Sequence, residues 1–144
     1  MADTRDVSFG RTGFEWEELE AAGWDLLLNC SLRLTTYAEL NNDLARITGQ
    51  PPWNFSNPAD RNAIAHLLGV LSDRSYAECV AAGTEPVMIS ALCKFMREND
   101  AGDGFYGKAV ELNLITEGIY KNRKARFEWW AAHVGKVQVW IAER

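Results

Sequence analysis

The sequence predicts a single α+β domain that is mostly helical and spans residues 1–144. Three observations lead to this expectation. Apolar side chains recur at helical spacing along most of the chain, two segments begin with residues that cap helices, and the apolar run 87–95 is rich in β-forming residues. No internal repeat, low-complexity segment or long linker divides the sequence.

The first two helices are indicated by spacing and by capping. Residues 15–32 place apolar side chains on one helical face, and acids crowd the start, where the helix dipole favours them. Thr36 followed by Glu39 is a capping box, which predicts a helix over about 37–47. Gly49 ends that helix, and the two prolines that follow prevent it from resuming.

A third helix is predicted to start at Asn57, an N-cap residue, and at Pro58, which suits the first helical position. We expect this helix to end near Leu71. Four apolar residues at helical spacing form its buried stripe, namely Ile64, Leu67, Leu68 and Leu71.

The elements of the second half are shorter. Residues 87–95 are predicted to form a strand, and a Gly-rich turn follows it. Residues 105–106 then begin either a second strand or a helix. Residues 108–120 and 122–134 both have helical periodicity. Residues 136–141 alternate apolar and polar like a short strand, although they could also be the last turns of the preceding helix.

The predicted elements follow the order of a winged helix-turn-helix. This order is a capped helix, a turn, a second capped helix, a strand and a Gly-rich turn. We therefore expect a winged-helix core over 34–106 with a short β-wing, and a basic helical extension over 107–144. The second helix of such a pair enters the major groove of DNA. With its apolar stripe inward, this helix would point Arg61, Asn62 and His66 outward, and Arg pairs with guanine as Asn does with adenine.

Four short segments resemble the winged-helix domain of methylated-DNA alkyltransferases and alkyltransferase-like proteins. Residues 35–40 (TTYAEL) are similar to the family's T-Y-G-x-[IL]-A segment, and residues 62–65 (NAIA) stand where it has R-A-V-G. Residues 86–89 (PVMI) stand where it has P-C-H-R, and residues 102–106 (GDGFY) are similar to its glycine-aromatic turn. The resemblance covers residues 34–106, about half of the chain.

The departures from the family pattern concern its chemistry. Val87 stands at the place of the alkyl-accepting Cys, and Met88 and Ile89 replace the His and Arg that follow it. Asn62 stands at the place of the Arg that the family inserts into the duplex, with Arg61 beside it. Alkyl transfer in that manner is excluded, because the nucleophile and its activating neighbour are both absent. The resemblance implies a DNA-binding scaffold without catalysis, and alkyltransferase-like proteins of that kind sense DNA and recruit partners.

Charge is distributed unevenly along the chain. Its 15 basic and 20 acidic residues give a net charge of -5, which excludes a generally basic DNA-coating protein. Residues 105–144 nevertheless hold 7 bases against 4 acids. Four of these bases are interleaved with aromatic residues, a pattern typical of surfaces that bind phosphates and stack on bases: Lys121, Arg123, Lys124 and Arg126. The competing interpretation is an amphipathic helix with solvated bases and buried aromatics.

The sequence offers little support for other chemistry. Cys30, Cys79 and Cys93 are scattered and odd in number, which indicates buried thiols in a reducing cytoplasm, and the reactivity of Cys79 stays open. His66 and His133 lie far apart in the sequence, so we expect neither a metal nor another cofactor. No apolar stretch approaches the roughly 20 residues of a membrane-spanning helix, and the polar first residues do not resemble a signal peptide. We expect a cytoplasmic protein with no membrane partner.

Together these patterns predict a non-catalytic nucleic-acid-binding or regulatory protein. Arg61, Asn62 and His66 would read or position DNA, Tyr37 would contact its backbone, and the bases over 121–126 would contact phosphates. The alternative is a protein-interaction module that does not bind DNA, with an acidic N-terminal half and a homodimer formed by Trp-rich terminal helices. A third possibility is a small molecule bound in a Trp-lined pocket.

The segment Gln50–Phe55 lies between the two helices of the predicted pair. It belongs to an insertion of about 11 residues relative to the alkyltransferase pattern, which includes Pro51, Pro52 and Trp53. The sequence leaves open whether it binds a ligand or only connects the two helices.

Overall fold

The computed structural model of the chain describes residues 7–30, 32–94 and 100–144. Helices dominate this part of the chain, which confirms the mostly helical α+β class. The helices are α1 (Gly13–Leu28), α2 (Tyr37–Thr48), α3 (Pro58–Ala82), α4 (Asp103–Glu111), α5 (Glu117–Lys121) and α6 (Arg123–Ala142), with a 3₁₀ helix at Ile89–Leu92. The strands are β1 (Val7–Ser8), β2 (Arg11–Thr12), β3 (Thr35–Thr36) and β4 (Cys93–Lys94).

The predicted starts of α2 and α3 are confirmed. The Thr36 hydroxyl accepts a hydrogen bond from the N–H of Glu39 at 3.2 Å, and the Asn57 side chain accepts one from the N–H of Ala59 at 3.0 Å. Gly49 ends α2 with a φ of +75°, a left-handed conformation that glycine adopts without steric cost. These boundaries depend on neighbouring residues alone, so the sequence is sufficient to predict them.

α3 runs to Ala82, well beyond the predicted end near Leu71. Its buried face continues past Leu71 as Ser72, Ser75 and Cys79, so the apolar stripe stops while burial goes on. The hydroxyl of Ser75 donates to the carbonyl oxygen of Val87 at 2.8 Å, which makes a polar residue acceptable inside the protein. Periodicity of apolar residues therefore marks only the first half of this helix.

The predicted strand over 87–95 is largely wrong. The segment forms the 3₁₀ helix and only then the two residues of β4, which pair parallel with β3 in the register Thr35 with Cys93. Its apolar composition reflects complete burial from Val87 to Cys93. A short apolar run of this kind is compatible with several backbone conformations.

One further expectation for the second half needs correction, and two alternatives that the sequence left open are decided. Residues 108–120 form two helices, because Asn113 has a φ of +60° and the Thr116 hydroxyl caps a new helix through the N–H of Ile119. Residues 136–141 belong to α6 and are therefore helical. The pair 105–106 lies in α4, which decides between the two conformations open to it.

The predicted β-wing is only partly covered by the described residues, since 95–99 lie outside them. Within the described residues the two small sheets are the antiparallel pair β1–β2 and the parallel pair β3–β4. Neither is a hairpin that follows α3. A winged helix therefore remains a prediction.

The first and last long helices pack together through their tryptophans. Trp24 of α1 meets Trp140 of α6 edge to face, with ring centroids 6.0 Å apart. The guanidinium groups of Arg74 and Arg144 lie over the Trp24 ring at 3.9 and 5.4 Å. The terminal helices therefore contact each other within one chain. A homodimer through these helices stays a prediction.

One buried side chain holds the loop between α2 and α3. Asn41 accepts a hydrogen bond from the N–H of Trp53 at 2.8 Å and donates one to the carbonyl oxygen of Trp53 at 2.9 Å. We expect Asn41→Ala to lower the free energy of unfolding by about 3 kcal/mol, because two buried backbone groups lose their partners. The control is the exposed neighbour Asn42. Its variant Asn42→Ala should change the free energy of unfolding by less than about 0.5 kcal/mol. Urea denaturation measures both variants, and similar losses would contradict the role of Asn41.

The buried imidazole of His133 makes stability depend on pH. Its Nε2 accepts a hydrogen bond from the N–H of Met88 at 2.9 Å, and burial, assisted by Lys136, lowers the pKa of His133 to about 4. The unfolded chain takes up this proton below a pH of about 6.5 and the folded chain does not, so stability falls as the pH decreases from about 6.5 to 4.

We expect the uptake of this proton to lower the free energy of unfolding by about 3 kcal/mol between pH 7 and pH 4. The His133→Gln variant, which does not titrate in this range, should lack that component while the carboxylates titrate as before. Urea denaturation of both proteins across this range measures the difference. Parallel curves would show that His133 does not contribute.

Candidate ligand-binding cavity

A cavity of about 410 Å³ lies between the start of α2, the first half of α3 and the start of α4. This volume falls within the range of small-molecule sites in proteins. Most of its wall is apolar. The wall residues without a charged or hydroxyl group are Ala38, Phe55, Ile64, Ala65, Leu68, Gly69, Gly102, Gly104 and Phe105.

Small residues on the facing helices create the space. Ala65 and Gly69 are one turn apart on α3, and Gly104 lies opposite in the first turn of α4. A Cβ atom at position 104 would lie 3.7 Å from the Cβ of Ala65, which is ordinary contact. The helices therefore approach each other closely at this point, and no large side chain from these three positions fills the volume beside it.

Two polar groups in the wall, the Lys108 ammonium and the Ser90 hydroxyl, are already engaged by the protein. The ammonium of Lys108 pairs with Asp73 at 2.8 Å and with Glu111 at 3.3 Å. The Ser90 hydroxyl shares a hydrogen bond with the hydroxyl of Ser72. These groups stabilise the wall and have little remaining capacity for a ligand.

The carboxylate of Asp103, also in the wall, is engaged by two residues that do not line the cavity. It accepts hydrogen bonds from the Arg126 guanidinium at 3.2 Å and from the Tyr120 hydroxyl at 2.9 Å. The carboxylate raises the pKa of Tyr120, because it favours the protonated phenol. Through Asp103, the start of α6 lies beside the cavity.

Arg61 is the cavity cation without a carboxylate partner in the described part of the chain. Its Nη1 donates to the carbonyl oxygen of Phe55 at 2.7 Å, and the side chain is exposed at the edge of the cavity. A guanidinium has five N–H donors, and this bond uses one of them. Arg61 is thus the positively charged group of the wall that is free to meet a ligand.

Tyr37 also lies in the wall, at the first position of α2. Burial raises the pKa of its phenol, while a hydrogen bond with the backbone of Gly102 acts in the opposite direction. The phenol stays protonated at neutral pH. The structure therefore places this predicted DNA-backbone contact beside Arg61 in the cavity wall.

The remaining predicted residues of α3 lie outside the cavity. Asn62 is exposed. His66 packs its ring against Phe9 and Trp16, with centroid distances of 5.5 and 5.2 Å. His66 therefore has a structural contact that the outward-facing helix position did not indicate.

The four predicted cations of the C-terminal half have different environments. Lys121 and Arg123 are exposed and have no ion pair within the described residues, and Lys124 lies 4.0 Å from Glu128. Arg126 is engaged, since it pairs with Asp103 and lies over the ring of Tyr106 at 4.7 Å. The four cations therefore do not form one uniform surface. Lys121 and Arg123 are available to an external group, whereas Arg126 is engaged within the protein.

Sequence reasoning missed the cavity itself. A Trp-lined pocket was one expectation, but the aromatic residues of this wall are Tyr37, Phe55 and Phe105. The available signal was the spacing of small residues, with Ala65 and Gly69 four apart on one helix and two glycines at the start of another. That signal acquires meaning only when the two helices are known to face each other.

The segment Gln50–Phe55 has both a packing and a lining role. Gln50 accepts a hydrogen bond from Arg11 at 2.8 Å and donates one to the carbonyl oxygen of Glu15 at 2.9 Å. Trp53 is buried, and Phe55 lines the cavity. The inserted loop is therefore part of the candidate site.

The thiols and the ionisable groups elsewhere form no second chemical centre in the described ranges. Cys79 and Cys93 are buried, and burial raises the pKa of Cys30 to about 11. No group of three or more His, Cys, Asp or Glu residues there is placed to hold a metal ion. None of the described helices combines the length and the apolar character needed to cross a membrane.

Comparison of the chain with protein-family models, with curated proteins and with solved structures gave no match. The resemblance of residues 34–106 to alkyltransferase-like proteins therefore stays a prediction.

Proposed function

We propose that the protein is a non-catalytic binding protein that takes a small, largely apolar molecule into the cavity between α2, α3 and α4. The observation that carries this proposal is the 410 Å³ volume enclosed mainly by apolar side chains. Removing about 100 Å² of apolar ligand surface from water would contribute about 2.5 kcal/mol. A ligand that fills the cavity gains several times the thermal energy from burial alone.

The chemistry of the wall supports binding without catalysis. The Ser90 hydroxyl is bonded to another serine, and the Tyr37 phenol is protonated at neutral pH. An activated nucleophile needs a neighbouring base within hydrogen-bond reach. The Ser90 hydroxyl pairs with the Ser72 hydroxyl rather than with a base, and the Tyr37 phenol keeps its proton, so we assign the cavity to recognition.

A pair of matched substitutions on α3 tests this function. Ala65 lines the cavity, whereas Ala77 is exposed on the same helix outside it. We expect the neutral dye N-phenyl-1-naphthylamine to bind the protein saturably, and Ala65→Phe to weaken that binding at least tenfold by filling the volume. Ala77→Phe should leave it unchanged, and dye fluorescence measures all three proteins.

Urea denaturation of the two variants checks that both remain folded. Equal dye affinity in the two variants would place the dye elsewhere on the protein. The absence of saturable binding to the unmodified protein would refute the cavity as an apolar site.

Nucleic-acid binding is the second candidate function. The observation in its favour is that Lys121 and Arg123 are exposed without ion pairs in the described structure, close in sequence to Arg126, which contacts the cavity wall. With Arg61 they make three cations available to phosphates. Because Arg126 is engaged by Asp103, the expected salt dependence is weaker than four cations would give.

We expect these three cations to bind duplex DNA. The logarithm of the binding constant should then fall against the logarithm of the salt concentration with a slope of about -2.7. The double variant Lys121→Gln/Arg123→Gln should make this slope shallower, at about -0.9. Arg33→Gln/Arg46→Gln makes the same change in net charge elsewhere and serves as the control. Fluorescence anisotropy of labelled DNA measures the slopes, and no binding at low salt would leave a protein partner as the alternative.

A further inference from the structure

We infer that the ligand of the cavity is an amphiphilic organic anion, whose apolar body fills the cavity while its carboxylate, sulfonate or phosphate group pairs with Arg61. This inference rests on the proposed function and specifies the class of ligand. It follows from the combination of an apolar volume with a cation that the described protein leaves uncompensated at its edge.

Arg61 is held in place for such a contact. The bond from its Nη1 to the carbonyl oxygen of Phe55, 2.7 Å long, ties the side chain to the loop that forms one side of the cavity. The guanidinium is consequently ordered before a ligand arrives, and its other N–H groups remain as donors. A guanidinium with several such donors binds two oxygens of one carboxylate or phosphate group in a bidentate manner.

The other charged groups of the cavity wall each form an ion pair within the protein. Lys108 is balanced by two carboxylates, and Asp103 by Arg126. Asp60, next to Arg61 in the sequence, accepts a hydrogen bond from the N–H of Asn54 at 2.7 Å and does not line the cavity. Arg61 is therefore the charged residue of the wall that has no ion pair in the described structure, and its charge is positive.

The start of α4 acts in the same direction. Gly102, Asp103 and Gly104 line the cavity, and Gly102 caps the helix without a side-chain hydrogen bond. The first N–H groups of a helix have no acceptor within it, and they carry a partial positive charge. An anionic group at the cavity edge is favoured by this helix start as well as by Arg61.

The wall is poorly suited to a ligand with many polar atoms. The hydroxyl of Ser90 is engaged with Ser72, and that of Tyr37 with the backbone of Gly102. A buried base edge or sugar would lose hydrogen bonds to water and find few replacements. The polar part of the ligand is therefore a single anionic group at the edge.

Two dyes with the same aromatic body test the inference. N-Phenyl-1-naphthylamine is neutral, and 1-anilinonaphthalene-8-sulfonate adds one sulfonate to it. We expect Arg61→Gln to weaken binding of the sulfonate at least tenfold and to change binding of the neutral dye by less than twofold. The control Arg46→Gln removes one positive charge from α2 away from the cavity and should affect neither dye.

Each outcome separates the inference from the proposed function. If Arg61→Gln leaves sulfonate binding unchanged while Ala65→Phe weakens both dyes, the cavity binds apolar molecules and the anion inference is wrong. If Arg61→Gln weakens both dyes equally, Arg61 only shapes the wall, and the inference is again wrong. If the unmodified protein binds neither dye saturably, the proposed function fails together with the inference.

Discussion

The fold depends on how the buried segment from Val87 to Leu92 satisfies its backbone N–H groups. A buried N–H without a partner costs about as much as a lost hydrogen bond, and β4 supplies ladder bonds only after this segment. Side chains from two helices take the place of a neighbouring strand. Ser72 and Ser75 of α3 accept from Ser90 and Ile89 at 3.2 and 3.0 Å, and His133 of α6 accepts from Met88. Trp130 of α6 donates to the carbonyl oxygen of Ala91 at 3.0 Å.

This arrangement divides α3 into two functional halves. The second half carries the serines that fix the buried segment, and that segment in turn fixes Ser90 in the wall of the cavity. The first half carries Arg61 near the start of the helix and, further along, the small residues Ala65 and Gly69 where α4 approaches. One continuous helix thus supplies both the support of the site and much of its wall. Because the support is hydrogen-bonded and buried, the position of the wall is set before any ligand is present.

Local signals in the sequence were sufficient for the helix starts at Thr36 and Asn57 and for the end of α2 at Gly49. They were insufficient wherever a distant contact decides the structure. α3 continues past Leu71 because Ser72 and Ser75 find partners at 87–90, and no local pattern reveals those partners. The site shows the same division, since Arg61 was identifiable as an outward-facing cation at the start of a helix. Its distant neighbours in the cavity come from residues 37–38, 55, 90, 102–105 and 108, which only the tertiary structure brings together.

The parallel pairing of β3 with β4 also bears on the order of folding. It joins Thr35 to Cys93, two residues separated in the chain by the whole of α2 and α3. Contacts of such long sequence separation are entropically costly to close, so they form late compared with helices, whose hydrogen bonds are local. Two parts of the cavity wall follow the two paired strands in the chain. The start of α2 follows β3, and the start of α4 follows β4. Isolated helical segments can therefore form early, whereas the cavity exists only once the chain has closed the β3–β4 contact.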